Sequence, residues 1–354
     1  MKQGIANLAQ LGEFDEIIDV RSPAEFTEDH IPGALSCPVL DNEERARVGT
    51  LYKQVSPFEA RKIGAVLVAR NIARHVENFF LDRPRGWKPL VYCWRGGQRS
   101  GAMAHVLRQI GWPACQLEGG YKTYRRQVVA DLAELPRRFG YRVVSGATGS
   151  GKSRLLAALA AHGAQVLDLE ELAAHKGSVL GDMPDTPQPS QKMFESRLRL
   201  ALHRLDPERP VFAEAESRKI GSLHLPDALI ESLRASPCLR IEAGFEARKR
   251  FLLTDYHYFV GDPQRLKAKL EHLRALQGSD TLARWNGLID AGDWEALVGE
   301  LLERHYDPLY HRSQGRNYQR YAEAPRFAID DLSPAGIERL ACDILAARES
   351  FTTA

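Results

Sequence analysis

The chain has 354 residues, enough for two domains of ordinary size, each with its own core. Its 48 Lys and Arg against 46 Asp and Glu leave a formal charge of +2, which excludes a polycationic coat and confines any nucleic-acid contact to local patches. Five cysteines (Cys37, Cys93, Cys115, Cys238, Cys342) form no C-x-x-C pair, so neither a disulfide framework nor a zinc site is indicated. The first residues carry acidic side chains where a secretory leader is basic and apolar, and no apolar run approaches the roughly 18 residues of a membrane span; a cytoplasmic protein with no membrane partner is expected.

Ile17-Ile18-Asp19-Val20 reads as a short buried strand handing over to a helix, with Ser22 as cap and Pro23 in the first turn. A turn at His30-Ile31-Pro32-Gly33-Ala34, a helix over 60–80 and a strand at Leu90-Val91-Tyr92 follow. A polar helix over 121–135 ends at Pro136, and the domain boundary is placed there, giving domains 1–138 and 139–354. The second domain repeats the alternation. A strand at Tyr141-Arg142-Val143-Val144, a helix over 152–161, a strand at Gln165-Val166-Leu167-Asp168 and another at Pro210-Val211-Phe212-Ala213-Glu214 predict a second parallel sheet. Beyond Phe245 the pattern turns helical, including 264–276, 293–304 and 334–347, as an appendage to that sheet.

Two strand-to-helix junctions carry chemistry. Backbone N–H groups at a helix start lack intrahelical partners and point along the positive end of the peptide dipoles, so each junction is an anion cradle. The first is Cys93-Trp94-Arg95-Gly96-Gly97-Gln98-Arg99-Ser100. A free thiol titrates near ~8.5, and one at a helix start beside cations falls to roughly 3.5–7.5. Cys93 is therefore the candidate nucleophile. Arg95 and Arg99 supply charge, Gly96 and Gly97 let the amides turn inward, and Ser100 donates a hydroxyl or caps the helix.

The second junction is Gly146-Ala147-Thr148-Gly149-Ser150-Gly151-Lys152-Ser153, the P-loop pattern between strand and helix. Gly146, Thr148, Gly149, Ser150 and Gly151 form the cradle for a diphosphate or triphosphate. Lys152 is placed to contact terminal phosphate oxygens, and Ser153 to ligate Mg²⁺ if the ion accompanies the phosphates. Asp168, Glu214 and Glu216 are candidates for holding that ion or a water.

Asp19-Val20-Arg21, Glu25-Phe26, His30-Ile31-Pro32-Gly33-Ala34, the Cys93 loop and Leu117-Glu118-Gly119-Gly120 together resemble a rhodanese domain over roughly residues 10 to 130. The resemblance implies a sulfane-type adduct on Cys93. Sulfur-transferring rhodaneses usually have four residues between the Cys and the loop Arg, whereas five precede Arg99, a wider rim that suits a phosphate-bearing chalcogen donor. Phosphatases with that spacing are the rival comparison, weakened by Tyr92 standing where they usually have His.

Adding Leu167-Asp168-Leu169-Glu170, His175-Lys176-Gly177-Ser178, Gln188-Pro189-Ser190-Gln191-Lys192, Glu214-Ala215-Glu216-Ser217-Arg218-Lys219 and His305-Tyr306-Asp307-Pro308, the whole chain resembles the bacterial tRNA 2-selenouridine synthases. That family implies a transferase acting on the wobble 2-thiouridine of tRNA. The resemblance further implies that geranyl diphosphate alkylates the sulfur and that selenium from selenophosphate then replaces the S-geranyl group. Both are co-substrates, no tightly bound cofactor is implied, and a selenophosphate supplier is an implied partner. Lys122, Arg125, Arg126 and Arg316 lie in basic-aromatic segments suited to tRNA, and Trp94, inside the cysteine loop, is a candidate to stack on the target base or the geranyl chain. His175, Lys176 and Arg218 are further candidates for substrate contact. An ATP-dependent sulfurtransferase or kinase acting on RNA or a small molecule is the alternative.

Overall fold

The computed structural model describes residues 4–347, with the backbone alone for residues 311 and 313–316. Two compact units emerge. One runs to Asp131 and takes in Ser190–Leu200; the other comprises Leu132–Pro189 and the chain from Ala201 onward. The sequence division at 138 differs because Ser190–Leu200 packs with the first unit. There Arg125 pairs with Glu195 and donates to the Lys192 carbonyl at 3.2 Å, Arg199 reaches Asp131 at 2.6 Å, and Lys192 reaches Glu28 at 2.6 Å.

The first unit is built on a parallel sheet of β1 (Ile5–Ala6), β2 (Glu16–Asp19), β3 (Leu35–Ser36), β4 (Pro89–Tyr92) and β5 (Cys115–Leu117), in the order β1-β5-β4-β2-β3. The core gathers Ile18, Val20, Ile72, Phe80, Val91, Met103 and Leu107. All four residues of β4 are buried, as expected of a strand covered on both faces. Cys93 follows it directly, and the helix Gln98–Ile110 begins five residues later. The expected helix over 60–80 is Pro57–His75 closed by a π turn, Val76–Phe80, and it is preceded by a helix, Asn42–Gln54, absent from the sequence reading.

In the second unit β6 (Tyr141–Gly146), β7 (Gln165–Leu167) and β8 (Val211–Glu214) are followed by a two-stranded hairpin, β9 (Lys219–Ile220) and β10 (Leu223–His224). β11 (Cys238–Ala243) and β12 (Arg326–Ile329) complete a parallel sheet in the order β12-β11-β6-β8-β7. β6 is central, so the glycine loop that follows it emerges where the connections diverge to either side, the crevice position for a ligand in such sheets. The helix Lys152–Ala161 matches the expectation to the residue, burying Leu155, Leu156 and Leu159 against the sheet. The helical appendage has its own apolar cluster, around Phe259, Leu266, Leu270, Trp285, Leu297 and Leu301.

Candidate active site

Cys93 leaves the end of β4 with 4% of its surface exposed. Its Sγ accepts the Gly97 N–H at 3.3 Å and the Ser100 hydroxyl at 3.2 Å. Burial pushes the thiol up, but the hydrogen bonds from Ser100 and Gly97, and then the charge of Arg99, outweigh it and hold the thiol below its ordinary value. Two other cysteines show what burial does without such donors: Cys37 is pushed up to about 12 and Cys238 to about 11. Gln116 on β5, missed by the sequence reading, donates to Ser100 Oγ at 2.8 Å and to the Gly97 carbonyl at 3.0 Å, and so orients the hydroxyl that serves the sulfur.

The rhodanese-like segments are the scaffold of this loop. A Cβ on Gly120, which has φ +58°, would stand 2.3 Å from the Cys93 carbonyl oxygen, so the Gly119-Gly120 crossing demands glycine. Across it, Tyr121 N–H donates to Cys93 O at 2.8 Å and Lys122 N–H to Trp94 O at 3.0 Å. Arg21 is buried, paired with Asp19 at 2.6 Å and stacked 4.0 Å from the Tyr121 ring, which itself reaches Asp29 at 2.7 Å. Tyr92 accepts the Ile31 N–H at 3.1 Å, and burial raises its phenol well above its usual value; it braces the turn and is unsuited to proton transfer.

The two loop arginines divide their roles. Arg99 donates to Glu25 at 2.9 Å, and Arg45 holds the same carboxylate at 2.9 Å. Arg95 and Trp94 are exposed, the indole lying 5.2 Å from the Tyr121 ring. The expectation that both arginines charge the thiol is corrected: Arg99 acts on it, partly neutralised by Glu25, whereas Arg95 is turned toward solvent.

In the second unit the glycine loop wraps as the motif requires. Gly149 (φ +82°) and Gly151 (φ +77°) take left-handed backbone, and a Cβ on Gly149 would lie 2.8 Å from Leu252. Lys152 Nζ reaches back to the Gly146 carbonyl at 3.0 Å, spanning the cradle it would share with phosphate oxygens. Arg248 braces the loop from outside, donating to the Thr148 carbonyl at 3.2 Å while held by both carboxylate oxygens of Asp307 at 2.8 Å. This pair was not foreseen. A cleft of about 770 Å³ runs along the loop, and its lining includes both polar side chains, Lys152, Ser153, Asp168, Glu170 and Glu216, and apolar or aromatic ones, Phe251, Leu252, Tyr256, Leu309 and Tyr310.

The carboxylates beneath the loop are crowded. Ser153 Oγ donates to Glu170 at 2.8 Å, and the buried Glu214 accepts the Glu170 N–H at 2.7 Å. Burial, then neighbouring carboxylates, keeps Glu214 protonated well above the carboxylate range. Burial and the charge of Glu170 push Glu216 up to about 8 against the pull of Lys152; Asp168, mainly through burial, stands at about 6. Asp168 also accepts the Glu171 N–H at 2.7 Å as the cap of the helix Leu169–Ala173. Among the described residues no group of three His, Cys, Asp or Glu is arranged to hold a metal. Were Mg²⁺ to accompany a phosphate substrate, Ser153 would be the residue to hold it, and the ion would supply positive charge to the phosphate oxygens.

A sequence model of the "tRNA 2-selenouridine synthase AAA domain" matches residues 139–278, and one of the "Rhodanese-like domain" matches residues 3–127. A tRNA 2-selenouridine synthase of Nitrosomonas europaea is 36% identical over 280 residues, 76% of this chain and 71% of the relative. That of Marinobacter nauticus is 33% identical over 90% of this chain and 81% of the relative, and that of Shewanella denitrificans 32% identical over 86% and 89%. The chain belongs to the tRNA 2-selenouridine synthase family. It is accordingly an enzyme of the transferase class, with a rhodanese-like domain followed by a P-loop domain that ends in helices, as the sequence implied.

The remaining candidates of this synthase-family chain separate on their partners. Lys122 and Arg126 are exposed, Arg126 touching the Thr123 hydroxyl at 3.2 Å. Arg125 is withdrawn from the tRNA-contact set because Glu195, the Lys192 carbonyl and Asp29 occupy its guanidinium. Arg218 is paired with Asp227 at 2.5 Å on an exposed surface. His175 and Lys176 both line the cleft. His175 is buried and titrates lower for that reason, 3.0 Å from Asp182; Lys176 is held by Asp255 at 2.6 Å, over the Tyr256 ring. Neither is a free phosphate cation. The side chain of Arg316 lies outside the described residues. No helix among those residues is long and apolar enough to cross a membrane.

Proposed function

We propose that this enzyme converts wobble 2-thiouridine in tRNA to 2-selenouridine by geranylation followed by selenium exchange. The observation that carries the reading is the pairing, in one chain, of a thiol activated by Ser100, Gly97 and Arg99 with a Lys152 loop whose cleft is lined by both charged and apolar side chains. The name shared by its relatives supplies the target. In the first step the thiouridine sulfur forms a bond to geranyl C1 as the C–O bond breaks. The departing diphosphate takes the electron pair, Lys152 and the loop amides offset its charge, and the base loses its N3 proton. Any Mg²⁺ held at Ser153 would add Lewis-acid charge to the same oxygens. Alkylation converts a poor leaving group into a thiolate that can depart.

In the second step Cys93 attacks phosphorus of selenophosphate, the P–Se bond breaks, selenium leaves as hydrogen selenide, and a Cys93 S-phosphate forms. The hydrogen selenide then attacks C2 of the base as geranyl thiolate leaves, and water hydrolyses the S–P bond, releasing phosphate and resetting Cys93. Nucleoside mass analysis after incubation with thiolated tRNA, geranyl diphosphate and selenophosphate tests the scheme. Cys93→Ala is expected to accumulate the S-geranyl nucleoside, and Lys152→Ala to form little of it. Equal loss of the same step in both variants contradicts the division of labour. Stoichiometric ADP formed from ATP would instead favour the sulfurtransferase or kinase.

A further inference from the structure

A second, narrower cavity of about 70 Å³ lies against the cleft of the glycine loop. The two share Thr148, Ser178, Leu252, Tyr256 and Tyr306 in their walls. Beyond that rim the narrow cavity is lined by aliphatic and aromatic side chains, among them Phe259, Leu266, Trp294, Leu297, Val298 and Leu301. Water in such a space lacks the two to four polar partners it needs, so the favoured occupant is hydrocarbon. An anion cradle with an apolar recess beside it matches an amphiphile: a diphosphate head on the loop, and a tail directed away from it.

Size narrows the choice. A cavity near ~150 Å³ accepts a benzene ring, so this one, about half that size, excludes a ring and suits the branched tip of a hydrocarbon chain. Its wall at Trp294, Leu297, Val298 and Leu301 is the helix Trp294–Leu301, which lies beyond residues 139–278, the stretch matched by the AAA-domain model. Resting on the reading of the loop as an isoprenyl diphosphate site, we propose that this cavity receives the distal isoprene unit of the substrate and that the helix Trp294–Leu301 sets the chain length accepted. A single isoprene would stop at the rim, two would fill the recess, and a third would meet the helix.

The test uses the full chain, thiolated tRNA and three competing donors: dimethylallyl, geranyl and farnesyl diphosphate. Each buried methylene adds about 0.8 kcal/mol, close to fourfold, so losing a whole isoprene should lower kcat/KM by at least about 100-fold from geranyl to dimethylallyl. Val298→Phe fills the recess beside a half-buried position and is expected to cut geranyl transfer more than about tenfold while sparing dimethylallyl transfer. Trp294→Ala opens it and is expected to raise the farnesyl-to-geranyl ratio more than about tenfold. These are ratios within one variant, so partial misfolding does not imitate them, and inhibition by inorganic pyrophosphate reports the head site separately. Unchanged ratios in both variants, with pyrophosphate inhibition intact, overturn the assignment of the cavity. A wild-type enzyme that binds pyrophosphate yet transfers none of the three donors overturns the prenyl-transfer reading itself, and the proposal with it.

Discussion

Ser100→Ala isolates what makes Cys93 a nucleophile. The Ser100 hydroxyl lies 3.2 Å from Sγ and is fully buried, so its removal brings in no solvent donor and leaves the backbone amides of Gly97, at 3.3 Å, and of Ser100 to serve the sulfur. A hydrogen bond to a charged group contributes about 1.5–3 kcal/mol, and each 1.36 kcal/mol is tenfold. Deleting it disfavours the thiolate, so the Cys93 thiol titrates higher. At any pH below both values the thiolate fraction should fall roughly 10- to 150-fold. Alkylation by iodoacetamide, followed as a function of pH with Cys93→Ala to subtract the other thiols, reads this directly: the profile moves to higher pH while the plateau rate is largely retained. Gln116→Leu, which frees the Ser100 rotor without removing its oxygen, should produce a smaller displacement in the same direction. An unmoved Ser100→Ala profile would refute the claim that the hydroxyl offsets burial and leave the backbone amides and Arg99 as the cause.

Other expectations follow from the same geometry. Glu216 titrates near 8 in the fold against an ordinary value near 4.5, so its ionisation opposes folding. Stability should decline as pH rises from about 4.5 to about 8, and Glu216→Gln should flatten that part of a melting-temperature profile; a slope equal to wild type contradicts the assignment. Gly120→Ala places a methyl against the Cys93 carbonyl, and should cost roughly 1–3 kcal/mol in urea unfolding and slow Cys93 alkylation, whereas Gly97→Ala, with open space around it, should not share the steric part. Asp307→Ala leaves the Arg248 guanidinium unpaired behind the glycine loop and is expected to destabilise by about 3 kcal/mol; a variant as stable as wild type in urea would show that the brace is dispensable.

Much of the fold could be read along the chain because the local signals agreed with the tertiary outcome. The glycine loop stands between a buried strand and a helix that starts at Lys152, and the Cys93 loop follows four consecutive buried residues. What escaped detection was either uniformly polar or distant in sequence. The helix Asn42–Gln54 has no buried residue, so no apolar stripe marked it. Gln116 is one amide in a three-residue strand, and only the pairing of β5 with β4 carries it to Ser100. Arg248 and Asp307 are 59 positions apart, and nothing local relates them. Arg125 shows the converse: a basic-aromatic run suggested solvent and RNA, while the fold gave its charge to Glu195.

The membership of Ser190–Leu200 in the first unit bears on how this protein could be taken apart. The polypeptide crosses between units after Asp131, Pro189 and Leu200, so no single cut yields two complete halves. A fragment beginning at residue 139 would carry Met193, Phe194 and Leu198, all buried in the intact chain, without the first-unit residues packed around them. The amino-terminal remainder would lack its last helix. Loss of activity in separated halves would then report a damaged fold before it reported anything about catalysis, and dissection is better done with point variants.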